Sequence, residues 1–161
     1  GSDMSVISVE NKPVLQLLDD RSPDVRTEFL NNLAGYRLRQ VSNAFMSDFA
    51  AAMTGTGMRP VQVSILSVVD ENPGVRQGEI GRALGVARAN MAPLMAELEG
   101  MKLLERIPDE ADRRAVSVFL TKSGQAMLKN CKARIRAHEH RTLGRLTESE
   151  RKTLLRLLNK I

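Results

Sequence analysis

Three successive charged residues, Asp112, Arg113 and Arg114, are the residues in this sequence best suited to bind a polyanion. A guanidinium group offers paired N–H donors to phosphate or base edges, and a neighbouring carboxylate can hold it in place. Residues 103–114 carry three arginines against four acids, a net charge of −1, so general attraction cannot supply the binding. Binding must therefore depend on how these residues are arranged. Asp112 would orient an arginine that reaches into a narrow minor groove. The alternative is a solvated loop held by its own salt bridges.

A second set of candidate DNA contacts, Arg88, Ala89 and Asn90, lies at the exposed beginning of a predicted helix. The opposite side of that helix is apolar at helical spacing, through Met91, Leu94, Met95, Leu98 and Met101. Arg88 can donate twice to guanine, and Asn90 can pair with adenine, in a major groove. A phosphate contact for Arg88 and a helix cap for Asn90 fit the sequence equally well. Pro93 favours the cap, because a helix starting after Asn90 needs no N–H at that position.

The elements that must position these residues are predicted to form a winged helix-turn-helix. Residues 75–84 predict a short helix, and Gly85 supplies the backbone freedom for a tight turn into the helix that follows. Residues 103–107 and 115–120 then predict two short strands, which would form the hairpin called the wing. The charged residues around Asp112 therefore lie at the tip of this hairpin.

Long amphipathic helices are predicted on both sides of the central module. One runs from about Pro23 to about Met53, with Ser22 as N-cap, and another follows Thr121. A final helix begins after Thr147, which forms a capping box with the residue three positions on. Because neither flanking block has enough partners to bury its apolar stripe, a homodimer is predicted. A monomeric helical bundle is the alternative.

The predicted fold class is therefore mainly α with a small β-hairpin wing, a winged helix-turn-helix flanked by long dimerisation helices. Residues 1–3 are interpreted as a cloning remnant, and residues 4–58 as an N-terminal extension and long dimerisation helix. Residues 59–124 are predicted to form the DNA-binding lobe, and residues 125–161 the C-terminal dimerisation helices.

Composition narrows the class of protein. The chain has 161 residues, a net charge of +5 and one cysteine, Cys131, which cannot form an internal disulfide. No apolar run approaches the ~18 residues of a membrane span, and the beginning does not match a secretion signal, so a cytoplasmic protein is expected. His138 and His140 point in different directions on a helix, which is poor geometry for one metal. We therefore expect no catalysis, no cofactor and no metal.

Several runs of residues together resemble the MarR family of bacterial transcription regulators. These runs are Gln77-Gly78-Glu79-Ile80, Leu84-Gly85-Val86, Leu103-Leu104-Glu105-Arg106, Asp112-Arg113-Arg114 and Leu120-Thr121-Lys122-Ser123-Gly124. The resemblance implies that Asp112 orients Arg114 toward the minor groove, that Arg113 contacts phosphate, and that Gln77 joins the DNA contacts. The sequence departs from many relatives at Ala87, where they have serine or threonine.

The resemblance also implies a homodimer that binds a pseudo-palindromic operator, most often as a repressor. A small molecule, such as an aromatic acid or its thioester, would enter a cleft between the dimer base and the DNA-binding lobe. Its binding would release the DNA. The candidate ligand-binding residues are Tyr36, Arg37, Gln40 and Ser64. Two alternatives remain open: a DNA-binding protein without a ligand switch, and a redox-responsive regulator that uses Cys131.

Overall fold

The computed structural model describes residues 24–112 and 114–161, which are mainly helical with one small antiparallel sheet. This confirms the predicted fold class. The elements in chain order are α1 (Glu28–Asn31), α2 (Ala34–Ala52), α3 (Pro60–Glu71), β1 (Val75–Arg76), α4 (Gln77–Leu84), α5 (Arg88–Gly100), β2 (Leu104–Pro108), β3 (Val116–Leu120), α6 (Lys122–Thr142) and α7 (Glu148–Leu158). Two compact units are present. Met53–Ile135 form the central unit, and the described residues up to Ala52 form the terminal unit together with Arg136–Ile161.

The sheet of the central unit has three strands rather than the two predicted, in the order β1-β3-β2. Strands β2 and β3 form the expected hairpin, with Leu104 opposite Leu120. Val75 and Arg76, predicted as the start of a helix, instead pair with β3. The reason is local, because the extended Arg76 is the N-cap of α4 and its backbone N–H donates to Glu79 Oε2 at 3.1 Å. A helix cannot begin before its own cap.

The core of the central unit lies between α3, α4, α5, α6 and the sheet. Its most deeply buried side chains, all less than 2% exposed, are Ile65, Leu66, Val69, Ile80, Met91, Met95, Leu98, Val118 and Cys131. Met101, predicted as the last member of the α5 stripe, is 37% exposed because it lies beyond the end of the helix as its C-cap. Every helix in the part of the chain that the structure describes is too short or too polar to span a bilayer.

The long N-terminal helix predicted from Pro23 to Met53 is interrupted in the structure. Its first turn, α1, ends at Asn31, and α2 begins at Ala34. Asn32 causes the break, because its side-chain amide donates to the carbonyl of Glu28 at 2.8 Å and so competes with the helical backbone bonds. The predicted N-cap at Ser22 lies outside the described residues.

Asp48 on α2 and His138 on α6 form a buried polar contact in the terminal unit. His138 is 3% exposed, and its Nδ1 lies 2.5 Å from Asp48 Oδ2. An ionised carboxylate can accept but not donate, so the histidine nitrogen carries the hydrogen. Phe45 and Phe49 meet the imidazole edge-on, and Arg141 donates to the same carboxylate oxygen at 2.6 Å. These contacts hold α6 against α2.

We expect Asp48→Ala to lower the free energy of unfolding by about 1–3 kcal/mol, because it leaves His138 buried without its acceptor. Burial alone raises the pKa of Asp48, but the hydrogen bonds and charges of Arg141 and His138 outweigh it and lower that pKa. A lowered carboxyl pKa stabilises the fold above the unfolded pKa, and the contribution is lost as pH falls through the folded value. Urea denaturation should therefore show the deficit of the variant shrinking in acid. Asp24→Ala, at an exposed position, is the control. If Asp48→Ala lowers the free energy of unfolding equally at neutral and at acidic pH, the lowered pKa of Asp48 is contradicted.

The C-terminal helix begins as predicted, with Thr147 as N-cap. The backbone N–H of Glu150 donates to the Thr147 hydroxyl at 3.1 Å, and the N–H of Thr147 donates to Glu150 Oε1 at 2.9 Å. Helix α7 ends at Leu158, so Ile161 lies beyond it rather than on its face. Leu157 and Leu158 are 46% and 43% exposed.

Candidate nucleic-acid interface

A groove of about 630 Å³ lies between α4, the beginning of α5 and the wing. Four of the predicted DNA contacts line it, namely Gln77, Arg88, Asp112 and Arg114. Arg76 and Arg82 line the same groove and were not predicted. The sequence shows that both residues are basic, but the direction in which their side chains point depends on the start of α4 at Gln77. The groove thus presents four arginines against two acids, Glu79 and Asp112. A phosphate backbone would meet net positive charge there.

The recognition helix α5 begins earlier than predicted. Its first residue is Arg88 and its N-cap is the extended Ala87, so Asn90 is the third residue and not the cap. Packing explains the early start: Met91 is 1% exposed and lies so close to Gly81 that a Cβ there would be 3.0 Å from Met91 Cγ. This contact packs the first turn of α5 against α4, and its burial outweighs the proline penalty at Pro93. Arg88, Ala89 and Asn90 are all exposed on this first turn.

The tip of the wing is organised by its aspartates. Asp112 Oδ1 accepts the backbone N–H of Arg114 at 3.0 Å, and Asp109 Oδ1 accepts that of Ala111 at the same distance. The sequence predicts that Asp112 orients an arginine. In the structure it fixes the backbone from which the exposed Arg114 side chain projects, because a short side chain reaches the amide two residues on. Arg113 lies outside the described residues.

Two glutamates fix α5 within the central unit. Glu97 accepts from Arg59 and, at 3.0 Å, from the Nε2 of Gln62, which is 3% exposed at the beginning of α3. Glu99 Oε2 accepts from Arg106 Nη2 on β2 at 2.6 Å. The hydrogen bond from Arg106 lowers the pKa of the Glu99 carboxyl below its ordinary value. The sequence predicts neither contact, because each joins α5 to a different element of the fold.

Residues 128–145 carry six basic residues, a set that suggests additional phosphate contacts: Lys129, Lys132, Arg134, Arg136, Arg141 and Arg145. Lys132 lies 3.6 Å from Asp70, Arg134 donates to the carbonyl of Thr54 at 3.2 Å, and Arg141 binds Asp48. Half of the six basic residues that suggested additional phosphate contacts therefore bind other parts of the chain. The groove beside α5 is the better candidate for contact with DNA.

Three of the predicted ligand-binding residues form one cluster on α2. Gln40 Nε2 donates to the Tyr36 hydroxyl at 2.9 Å, and Arg37 Nη1 donates to Gln40 Oε1 at 3.2 Å. All three side chains are half-buried in the terminal unit. Ser64 belongs to the central unit, where its exposed hydroxyl donates to the carbonyl of Pro60 at 3.1 Å. The Arg37 guanidinium is the group in the cluster that fits a carboxylate.

Cys131 is fully buried on α6, and this burial raises the pKa of its thiol. A buried thiol that stays protonated is a poor nucleophile toward oxidants. A role as a small core residue therefore has more support than the redox alternative. Within residues 24–112 and 114–161, no cluster of three or more His, Cys, Asp or Glu side chains is arranged to hold a metal ion.

The chain is similar to known transcription regulators. A model of the MarR family matches residues 56–115. The transcriptional activatory protein BadR of Rhodopseudomonas palustris is 30% identical over 129 residues, which cover 78% of this chain and 73% of BadR. The repressor NicR of Pseudomonas putida is 26% identical over 155 residues, covering 96% and 95%.

Solved structures of the transcriptional repressor CouR are also similar. CouR bound to a 23-mer DNA duplex has 32% identity and a TM-score of 0.81, covering 85% of this chain and 97% of that one. CouR bound to p-coumaroyl-CoA has 30% identity and a TM-score of 0.72, covering 84% and 96%. These similarities agree with the winged helix-turn-helix arrangement of the central unit.

Proposed function

The chain belongs to the MarR family of transcription regulators, and from this we propose that it is a homodimeric repressor that leaves its operator when it binds a small ligand. The groove beside α5 is the observation that carries the proposal. It gathers four arginines, Arg76, Arg82, Arg88 and Arg114, on the side of the central unit that holds both the recognition helix and the wing. In repression the protein would resemble CouR and NicR. It would act on the chromosome, in the cytoplasm.

DNA contact by this groove follows the geometry of winged helices. The exposed first turn of α5 would enter the major groove with Arg88, Ala89 and Asn90 foremost. Arg114 at the tip of the wing would reach the adjacent minor groove, while Gln77 would contact the backbone. Because a homodimer presents two such surfaces, its operator would contain two similar half-sites.

The dimer interface would involve the apolar residues at the end of the chain. Leu155, Leu157, Leu158 and Ile161 are 63%, 46%, 43% and 89% exposed. An apolar surface of this kind marks a contact with another molecule. A second copy offers the same surface, so a two-fold interface would cover both at once.

The ligand would be an aromatic acid or its coenzyme A thioester. CouR, at 30% identity, is a repressor bound to such a thioester. In this chain Arg37 can donate two parallel hydrogen bonds to a carboxylate, and Tyr36 supplies a ring for stacking. Gln40 contacts both residues and would keep them oriented.

A duplex selected from a random library tests DNA binding, and a panel of hydroxylated aromatic acids and their thioesters tests the switch. We expect at least one compound to raise the melting temperature and to release the labelled duplex in fluorescence anisotropy. Arg37→Gln should lose most of this response, because it removes the charged donor, whereas the exposed Arg26→Gln should keep it. Selective duplex binding with no response to any compound would favour a regulator without a ligand switch.

A further inference from the structure

Arg106 on the wing strand β2 contacts both helices of the helix-turn-helix. Its Nη2 donates to Glu99 Oε2 near the end of α5 at 2.6 Å. Its Nη1 donates to Gln77 Oε1, on the first residue of α4, at 3.4 Å. We call these three residues the wing clamp. They join three elements that all border the DNA-binding side of the central unit.

The clamp constrains the direction of the wing. The β2-β3 hairpin is joined to α5 through a short turn, and Arg106 adds a second attachment two residues into β2. A planar guanidinium with several donors in fixed directions is suited to holding two acceptors at once. The Arg106 and Glu99 side chains remain 35% and 31% exposed, so we expect the pair to add little to overall stability. Its main effect would be on geometry.

The clamp also orients the amide of Gln77. Because Arg106 can donate but not accept, it fixes the carbonyl oxygen of that amide toward itself. The amide nitrogen, with its two donors, then points away from Arg106. Gln77 lines the groove beside α5, so those donors are available to a phosphate oxygen.

We propose that Arg106 is a positioning residue for DNA binding, which holds the wing against the recognition helix through Glu99 and turns the Gln77 amide toward the DNA backbone. The inference rests on the proposed DNA-binding function. The alternative is that Arg106 itself contacts a phosphate. In that case the Glu99 carboxylate would only weaken the attraction between Arg106 and the DNA.

Glu99→Ala, which removes both the charge and the acceptor oxygen, separates the two roles because they predict opposite signs. Removing a negative charge near DNA should tighten binding if electrostatics alone operates. Loss of the clamp should weaken it, and we expect about a tenfold rise in the dissociation constant for the selected duplex. Arg106→Gln should give a similar rise, and the double variant should add little, since both changes break one contact. Glu105→Ala, the same substitution at an exposed neighbour on β2, should bind at least as tightly as wild type.

The salt dependence supplies a second readout that a direct contact would move. Each lost phosphate contact lowers the slope of log affinity against log salt by about one, whereas loss of positioning leaves it nearly unchanged. An unchanged slope for Arg106→Gln with weaker binding is the expected result. If Glu99→Ala binds as tightly as wild type, or the salt slope of Arg106→Gln falls by one or more, the proposed positioning role is wrong although DNA binding stands. If the wild-type protein binds no duplex, the proposed function is wrong, and so is the role of the wing clamp in DNA binding.

Discussion

Arg114→Ala is expected to weaken binding to the selected duplex about a hundredfold while leaving the dimer intact. Arg114 projects from the wing tip into solvent and lines the groove that holds the first turn of α5. An arginine that contacts DNA contributes on the order of 1–3 kcal/mol, about tenfold or more in affinity, and a homodimer loses two of them. Fluorescence anisotropy measures the affinity, and analytical ultracentrifugation measures the dimer.

Two variants of Asp112 test whether DNA binding by Arg114 depends on the backbone conformation that Asp112 holds. Asp112→Ala removes the oxygen that accepts the backbone N–H of Arg114, so it should loosen the turn and weaken binding. Asp112→Asn keeps an acceptor oxygen and should bind nearly as well as wild type. Both changes remove the same negative charge, so tighter binding by both would mean that Asp112 only repels DNA. An Arg114→Ala protein with wild-type affinity would refute the role of the wing.

The wing illustrates what the sequence can and cannot predict. Apolar alternation on both sides of a charged tip predicted the hairpin, and the observed strands differ from the predicted ones by one residue at three of their four ends. The residue types around Asp112 predicted an acid that positions an arginine. They could not predict which atom of the arginine is held, because one carboxylate suits a guanidinium and a backbone amide equally well.

The beginning of α5 shows a different limit. Local rules at Pro93 favoured a late start with Asn90 as cap, and these rules are sound for an isolated helix. The burial of Met91 against Gly81 decided otherwise, and that contact joins two helices. Tertiary packing therefore outweighed local preference at the residues that would enter the major groove.

Spacing along one helix was more informative than proximity between elements. Tyr36 and Gln40 are four residues apart on α2, so one helical face brings them together, and the structure shows their hydrogen bond. The pairing of Arg106 with Glu99 and Gln77 joins three elements. No periodicity in the sequence could reveal it, because it depends on how β2 lies beside α4 and α5.

Gly124→Ala is expected to lower the free energy of unfolding by about 3 kcal/mol or more. A Cβ at this position would lie 2.0 Å from the backbone oxygen of Leu103, so α6 or the beginning of the wing would have to move. Thr121 makes that movement costly. Its N–H donates to the Leu103 carbonyl at 3.1 Å, and its hydroxyl donates to the carbonyl of Lys102 at 2.6 Å. Overpacking commonly costs about 1–3 kcal/mol, and a backbone obstacle belongs at the upper end.

Urea denaturation of Gly124→Ala and Gly100→Ala tests this packing directly. Both glycines are helical, but a Cβ at Gly100 would meet nothing within 4 Å, so alanine there should be neutral or stabilise by roughly 0.5–1 kcal/mol. Because β2 begins at Leu104, directly after the obstructed carbonyl, Gly124→Ala should also weaken duplex binding. If both variants unfold at the same urea concentration as wild type, the close approach of α6 to Leu103 is incorrect. If Gly124→Ala is destabilised but binds DNA normally, the wing does not depend on this contact.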